Sequence, residues 1–432
     1  MSEAHALNSV NRHYLDKVMH LAEERDIKAT EDIFDARGMK LVAKGATISR
    51  GLQERLMMRR LSKPFESSIG VDGSLGTEAI AAEARRIADS VEPVKSMLTL
   101  QQGGMSPVQV VSGIRLGTSM STMLTVLQQA GPDALQHAVL VSLVAVYLAQ
   151  RCGLGMNDQN TVALAGLLHD IGELYIDPEY LHSSRRLHPH EWRHVAVHPR
   201  IGQMLIEGLE AYPPAVARAV YEHHERLDGG GYPRQLAGPA ISMAGQIVSV
   251  AETISGIFLS PSQPLKRAEL ALKIIPGEHA HQLVSAIATA MQQVGAPGAA
   301  DAMDPSHGQD ANRVRELYQR IDAVVECAQA MQDSAAVTSA QGRKLLSETV
   351  RRAGVVRRAF SSTGLDACLN QDVRIFESPS FEILFEATVA VREIEWRLRD
   401  IARDLALHTA TLESHEGEAL QPLVSLLDGE ES

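Results

Sequence analysis

The fold of this 432-residue chain is decided by two stretches of sequence, Leu168-His169-Asp170-Ile171-Gly172 and His223-His224-Glu225-Arg226-Leu227-Asp228-Gly229-Gly230-Gly231-Tyr232-Pro233. Nine of the seventeen histidines lie between His137 and His224. Histidine is a common metal ligand, so this crowding favours a metal site. One histidine alone is more often a solvated side chain on a polar helix face. The set as a whole predicts metal binding because of its surroundings.

Those surroundings are apolar. Residues 162–168 are apolar and lead into the histidine that precedes Asp170. A carboxylate in that position is buried, which is costly unless it is paired or bound to a metal ion. Glu252 also follows an apolar run, and Asp133 and His137 are four residues apart, which is one helical turn. Helical bundles build multinuclear metal sites in this way, with each helix contributing one or two nitrogen or oxygen ligands.

Residues 133–261 resemble the HD-GYP proteins, a branch of the HD superfamily of metal-dependent phosphohydrolases. The resemblance covers under a third of the chain and rests on an ordered set: His137, His169-Asp170, His198-Pro199, His223-His224-Glu225, Asp228-Gly229 and Gly231-Tyr232-Pro233-Arg234. A His-Asp pair alone is weak evidence, whereas the ordered set with the Gly-Tyr-Pro signature is specific. The resemblance implies a mainly α fold, built on an HD-superfamily helical bundle.

The resemblance also implies a reaction and a set of functional residues. The reaction is hydrolysis of cyclic di-GMP with two or three divalent transition-metal ions. A mixed histidine and carboxylate set suits iron or manganese, with zinc or nickel as alternatives, better than magnesium. The metal ligands carried over by position are Asp133, His137, His169, Asp170, His198, His223, His224 and Glu252. The candidate catalytic residues are His169, Asp170 and Glu173, and the candidate substrate-binding residues are Asp228, Gly231, Tyr232 and Pro233. Glu225 is expected to orient the imidazoles from behind.

The chain departs from the family pattern where the family has cations. Glu173 stands where the family usually has lysine, and Gln246 where it usually has arginine. Segments 255–257 and 260–264 differ as well. A charge-assisted contact to phosphate is worth about 1.5–3 kcal/mol. The sequence therefore predicts an intact metal cage with weakened substrate binding.

Three functions are consistent with this pattern. The first is a metal-dependent phosphodiesterase that hydrolyses cyclic di-GMP or a related nucleotide in bacterial second-messenger signalling. The second is a non-catalytic regulatory or binding protein that retains the metal site. The third is a phosphohydrolase of another phosphate ester. The complete ligand set favours the first and third functions, and the lost cations favour the second and third.

Composition bounds the remaining possibilities. Aromatic residues make up 4% of the chain, and alanine, leucine and valine dominate, which favours helices. The net charge of −12 argues against non-specific nucleic-acid binding, which needs a basic surface. Three distant cysteines predict neither a disulfide framework nor a cysteine zinc site. The longest apolar run, 138–149, is too short to span a bilayer, and the start of the chain has no signal peptide, so a cytoplasmic protein without a membrane span is expected.

Breaks in the pattern of apolar residues along the chain predict three domains. Residues 1–70 form a small α+β input or docking module, 78–294 the helical metal-binding domain, and 308–432 a C-terminal helical region for docking or dimerisation. Glycine-rich stretches at 67–77 and 295–307 are the predicted linkers. Signalling proteins that bind the terminal parts, and a second copy of the chain, are the expected partners besides the cyclic dinucleotide or other phosphate ester.

Local patterns predict the elements within these parts. Short strands are expected near 27–30 and 39–42, joined through a turn at 35–38. Long helices are expected over 78–102, 107–129, 310–359 and 381–412.

Overall fold

The computed structural model describes residues 7–99, 104–131, 133–181, 186–259, 263–294, 310–333, 336–363 and 381–429. Within these residues the protein is mainly α-helical, as predicted, with short strands near the N-terminus. Its contacts divide it into two compact units. The first contains the described residues within Met1–Ser184, His194–Pro261 and His279–Val294, and the second those within Arg185–Arg193, Ser262–Glu278 and Gly295–Ser432. The division of the sequence into three domains stays a prediction.

The N-terminal part of the first unit is a small α+β module, as predicted. Its elements are α1 Arg12–Leu21, β1 Ile27–Ala29, β2 Ile33–Phe34, β3 Lys40–Val42, α2 Gln53–Met57 and β4 Ile69–Val71. Strand β2 pairs with β3 and β1 pairs with β4, both antiparallel. The prediction that 67–77 is a linker is wrong, because this stretch contains β4, whose Ile69 and Val71 side chains are buried.

Helices follow one another from residue 77 to residue 294. Their bounds are α3 Thr77–Ser90, α4 Glu92–Thr99, α5 Pro107–Ser112, α6 Thr118–Ala130, α7 Ala134–Arg151, α8 Met156–Leu168, α9 Trp192–Val195, α10 His198–Leu209, α11 Pro214–Glu222, α12 Met243–Phe258, α13 Pro264–Lys273 and α14 His281–Val294. The two long helices predicted over 78–102 and 107–129 are each broken in two. The first break precedes Pro93, and the second lies between Gly113 and Gly117, residues that disfavour a continuous helix.

Helices α7 and α8 form the centre of the first unit. Among the described residues, α7 is the helix with the length and composition of a membrane span, but 72% of it is buried inside the fold. This extent of burial is typical of a core helix. A Cβ atom on Gly166 of α8 would lie 2.9 Å from the Cα atom of Ser142 on α7. The missing side chain therefore lets the two helices cross closely, and His169 follows directly at the end of α8.

The second unit is built on long helices: α15 Asp310–Asp333, α16 Ala340–Ser362, α17 Phe381–Thr409 and α18 Ser414–Asp428. The helix predicted over 310–359 is thus two helices, whereas the helix predicted over 381–412 is confirmed as α17. Arg352 of α16 is buried and pairs with Asp400 and Asp404 of α17 at 3.1 and 2.8 Å. The predicted linker 295–307 lies outside the described residues.

Candidate metal centre

Imidazole and carboxylate side chains from five helices of the first unit meet at one place. His137 lies in the first turn of α7, and Glu252 lies in the middle of α12. The other contributions come from helix ends: His169 and Asp170 follow α8, His198 begins α10, and His223 and His224 follow α11. Side chains that the sequence separates by more than one hundred residues are thereby brought together, as the ligand pattern predicts.

These side chains form two groups. One contains Asp170, His198, His223 and His224, and the other contains His137, His169 and Glu252. In each group, one candidate ligand atom per residue can be chosen so that all lie within 4.8 Å of one another. Each group could hold a metal ion. Seven of the eight ligands predicted from the sequence lie in these two groups, and their role as metal ligands stays a prediction.

Asp170 lies between the two groups. Its Oδ2 atom is 3.0 Å from Nε2 of His169 and 3.7 Å from Nε2 of His137. Its Oδ1 atom is 3.5 Å from Nε2 of His198 and 3.7 Å from Nε2 of His223. The two oxygens of one carboxylate thus face different groups, so Asp170 could contribute a ligand to an ion in either group.

The backbone fixes the orientation of three imidazoles. His169, His198 and His223 each place Nδ1 against the carbonyl oxygen three residues earlier, at 2.8, 2.8 and 2.5 Å respectively. A carbonyl oxygen only accepts hydrogen bonds, so Nδ1 carries the proton in each ring. In the neutral rings, Nε2 is then left with a lone pair that points into the centre. This is the tautomer that a metal-binding histidine needs.

The lone pairs face one another at short range. Nε2 of His198 lies 3.2 Å from Nε2 of His223, and both rings are almost completely buried. Burial lowers the pKa of His198 and lowers the pKa of His223 to about 3, so both rings are neutral near pH 7. Two lone pairs at this distance repel each other unless a cation lies between them. The donor set therefore fits a divalent transition-metal ion.

The other group is electrostatically different. Burial disfavours protonation of His169, but the carboxylates of Asp170 and Glu252 outweigh this and raise its pKa well above the ordinary value. Oε2 of Glu252 lies 3.0 Å from His137 and 3.2 Å from His169, and is buried without a hydrogen bond of good geometry. Two acidic groups thus attract a proton or a cation to the same point. A bound metal ion would take the place of that proton.

Asp133 is the predicted ligand that the structure does not bring to either group. It is exposed and forms the N-terminal cap of α7. The four-residue spacing from His137 indicates a shared face only if both residues are helical. Helix α7 begins at Ala134, so the Asp133 side chain lies before the first turn and outside the centre.

Glu173 lies beside the centre and lines a cavity of about 700 Å³. Burial, and then the nearby carboxylate of Asp170, raise the pKa of Glu173 well above its ordinary value. Both effects favour the protonated form of this carboxyl group over the carboxylate.

The loop with the Gly-Tyr-Pro signature packs directly on the ligands. The ring of Tyr232 stacks on the imidazole of His224, with centroids 4.5 Å apart and planes 19° apart. A Cβ atom on Gly231 would lie 2.4 Å from the carbonyl oxygen of His224 and from the amide nitrogen of Arg226. Only glycine permits this approach. Pro233 follows in the same loop, and Asp228 accepts a hydrogen bond from the amide of Gly230 at 2.9 Å, which stabilises the turn.

The sequence suggested that Glu225 orients the imidazoles, but the structure gives Glu225 other partners. Its two oxygens accept hydrogen bonds from the backbone amides of Arg234 and Leu236, both at 2.8 Å. Glu225 therefore anchors the loop. Backbone carbonyl groups orient the imidazoles instead, and such groups leave no trace in the pattern of side chains.

Reasoning from the sequence missed a buried arginine beside the centre. Arg226 is buried, and its guanidinium donates to Ser249 and, at 3.3 Å, to the hydroxyl of Thr253 on α12. Thr253 is the neighbour of Glu252. An arginine directly after a histidine pair and a glutamate is the signal that could have indicated it.

Part of this chain is similar to known proteins. Residues 121–283 match the family model described as "HD domain". The chain is 31% identical over 135 residues to a 3'3'-cGAMP-specific phosphodiesterase of Vibrio cholerae, across 31% of this chain and 31% of that protein. It is 33% identical over 129 residues to a cyclic di-GMP phosphodiesterase response regulator of Xanthomonas campestris, across 30% of this chain and 34% of that protein. The chain spans about a third of the length of the curated relatives it matches.

A solved HDG"Y"P protein from Bdellovibrio bacteriovorus is 17% identical, with a TM-score of 0.34, and the match covers 61% of this chain and 95% of that protein. The family-model match and the named relatives confirm the resemblance to the HD superfamily that the sequence predicts.

Proposed function

We propose that this protein is a metal-dependent phosphodiesterase that hydrolyses a cyclic dinucleotide in bacterial second-messenger signalling. The observation that carries the proposal is the position of Asp170 between two groups of buried ligands. Two ions held in this way neutralise the oxygens of a phosphodiester and lower the pKa of a bound water. The names of the relatives, which act on cyclic di-GMP or 3'3'-cGAMP, support this substrate class.

The chain's own residues have distinct roles in this proposal. His198, His223 and His224 would hold one ion, His137, His169 and Glu252 the other, and Asp170 both. The ions are iron or manganese, since a mixed imidazole and carboxylate set suits them; zinc or nickel are the alternatives. Glu173 would give a proton to the leaving oxygen, because its environment favours the protonated carboxyl group.

The cavity beside Glu173 is the candidate site for one arm of the substrate. Its volume of about 700 Å³ lies within the usual range for small-molecule sites. Apolar side chains such as Val126 and Leu127 form one wall, and polar groups of α1 form another. Apolar walls with a polar edge suit the face and the edge of a nucleobase. Asp228, Gly231, Tyr232 and Pro233 are proposed to contact the substrate through their loop, which packs on His224.

A non-catalytic binding protein is the second candidate function. The amide of Gln246, where the family usually has arginine, donates to the carbonyl oxygen of Ile241 at 2.9 Å and carries no charge. The loss of that cation favours weak substrate binding, and a site of this kind could serve regulation through the terminal regions. We propose these regions, 1–70 and 308–432, as docking surfaces for signalling proteins or a second copy of the chain in the cytoplasm.

The test is hydrolysis by the full-length, manganese-loaded protein. Cyclic di-GMP and 3'3'-cGAMP are incubated with it, and the products are separated by chromatography. We expect slow hydrolysis with a high KM. His198→Ala should abolish it, whereas His190→Ala, which changes an exposed histidine eight residues earlier, should not. If the metal-loaded protein binds a dinucleotide without cleaving it, the second function replaces the first; if it neither binds nor cleaves one at millimolar concentration, another phosphate ester must be the substrate.

A further inference from the structure

The turn that follows Asp170 is held by a lysine from the N-terminal module. Residues Ile171–Tyr175 form a 3-10 turn. Nζ of Lys17, on α1, lies 3.0 Å from the carbonyl oxygens of Leu174 and Ile176 and 3.4 Å from that of Glu173. An ammonium group has three N–H donors, and here they meet three carbonyl oxygens at the end of one turn. A positive charge at the C-terminal end of a helical turn is also electrostatically favourable.

The same turn has three further contacts with the N-terminal module. The hydroxyl of Tyr175 donates a hydrogen bond to the buried carboxyl of Glu66. The rings of Tyr175 and Tyr14 stack, with centroids 5.8 Å apart. The side-chain amide of Asn11 donates to the carbonyl oxygen of Tyr175 at 3.4 Å. The six-residue segment after Asp170 is therefore fixed by groups from four different positions of the module.

On its other side, the turn is pressed against a second metal-binding element. A Cβ atom on Gly172 would lie 2.1 Å from the carbonyl oxygen of His198, the first residue of α10. The turn therefore has no free space on this side. A shift of the turn would displace Asp170, which immediately precedes it, and would press on the backbone that carries His198.

We propose that Lys17 is a positioning residue of the metal centre, acting through the 171–176 turn to fix the Asp170 carboxylate between the two ligand groups. The proposal rests on the metal assignment made under the proposed function. The hydrogen bonds of Lys17 go to backbone carbonyl oxygens of the turn, and its side chain also lines the cavity beside Glu173. The N-terminal module is, in consequence, a structural part of the metal centre, and a partner that draws α1 away would weaken metal binding.

The test compares full-length variants that differ by one cation. Lys17→Met removes the charge and keeps the length of the side chain. Lys17→Arg keeps the charge and several N–H donors. Lys28→Met is the matched control, since Lys28 belongs to the same module but pairs with Asp72 at the surface. Each chelator-treated protein is titrated with manganese, and amide hydrogen exchange is measured before metal is added.

We expect Lys17→Met to weaken manganese binding about tenfold, the lower end of what loss of a group that orients metal ligands costs. Lys17→Arg should restore most of the affinity, and Lys28→Met should match the wild type. In the metal-free Lys17→Met protein, the amides of residues 171–176 should exchange faster. Unchanged manganese affinity in Lys17→Met, or an equal loss in Lys28→Met, overturns the proposal and leaves the proposed function intact.

Two controls cover a variant that does not fold and a wild-type protein that binds no metal ion. If Lys17→Met does not fold, Tyr175→Phe takes its place: it keeps the ring stack and removes the hydroxyl that contacts Glu66, and it should also weaken manganese binding. Normal manganese affinity in that variant contradicts the proposal. A wild-type protein that binds no manganese, iron, zinc or nickel overturns the proposed function and this proposal together.

Discussion

His169 and Asp170 are neighbours in sequence, and their side chains meet again at the centre, where Oδ2 of Asp170 lies 3.0 Å from Nε2 of His169. Adjacent residues seldom point to one place in a helix, because successive side chains are turned by 100°. Here α8 ends at Leu168 and a 3-10 turn begins at Ile171, so the backbone bends between the two side chains. Because His169 and Asp170 follow the end of α8, their two side chains can point to the same place.

The shared position of Asp170 predicts how metal content responds to substitution. Asp170→Ala should lower the metal content from about two ions per chain to less than one, since both groups lose a ligand. His223→Ala should affect one group and leave about one ion. Elemental analysis of protein purified without chelator measures both. Two ions retained in Asp170→Ala would contradict the bridging position.

Glu173 provides a prediction about the rate rather than about metal binding. Glu173→Gln keeps the size of the side chain and removes the proton that the carboxyl could give. We expect kcat to fall by about 10²–10⁴-fold, the usual contribution of a general acid, with little change in KM or metal content. Steady-state kinetics with cyclic di-GMP measure this. An unchanged kcat at full metal loading would exclude Glu173 as the proton donor.

Glu66 predicts a dependence of stability on pH. Burial raises the pKa of Glu66 to about 7 from an ordinary value near 4.5. Between these two values the folded chain holds a proton at Glu66 that the unfolded chain has lost. The contribution of this group to the free energy of unfolding is therefore full below about pH 4.5 and decreases as the pH rises to about 7, by up to about 3 kcal/mol.

Glu66→Gln, which cannot ionise, should remove this dependence. The melting temperature of the variant should rise relative to that of the wild type as the pH increases from 5 to about 7. Glu54→Gln, at an exposed position of α2, is the control and should follow the wild type. Parallel curves for the wild type and Glu66→Gln would mean that Glu66 is ionised in the folded protein.

Gly231 predicts a local steric effect. Gly231→Ala places a methyl group 2.4 Å from backbone atoms of His224 and Arg226, so the loop must move. We expect a loss of about 1–3 kcal/mol in stability and a lower metal content. Gly256→Ala is the control: nothing lies within 4 Å of its Cβ position on α12, and it should stabilise the helix by up to about 1 kcal/mol. Thermal unfolding distinguishes the two, and equal melting temperatures would contradict the close approach.

The sequence was most informative where a side chain carries the function. The meeting of the side chains from His137 to Glu252 was predictable because imidazoles and carboxylates after apolar runs are costly to bury unless they bind something. The expectation that Asp133 lies with the other ligands was not met, because the first residue of α7 could not be located to within one position from the pattern alone. Helix breaks at Val91 and near Gly113 were missed because apolar periodicity continues across them.

Contacts of the backbone and contacts between distant segments could not be predicted from the sequence. The carbonyl oxygens that orient His169, His198 and His223 belong to residues with no polar side chain of their own. The pairing of β1 with β4 joins segments about forty residues apart, and Gly70 in the middle of β4 resembles a linker residue. The contact of Lys17 with the turn spans even more of the chain, and a lone lysine on an amphipathic helix gives no indication of its partner.

Gly172 has a consequence for genetics. Its hydrogen atom faces the carbonyl oxygen of His198 at a distance that admits no methyl group. A screen for inactive alleles should therefore recover substitutions at Gly172 alongside those of His169 and His198, although Gly172 has no side chain that could bind a metal ion. In a collection of variants sorted by phenotype, this glycine would be classed with the ligands, and only the geometry of its neighbour would explain why.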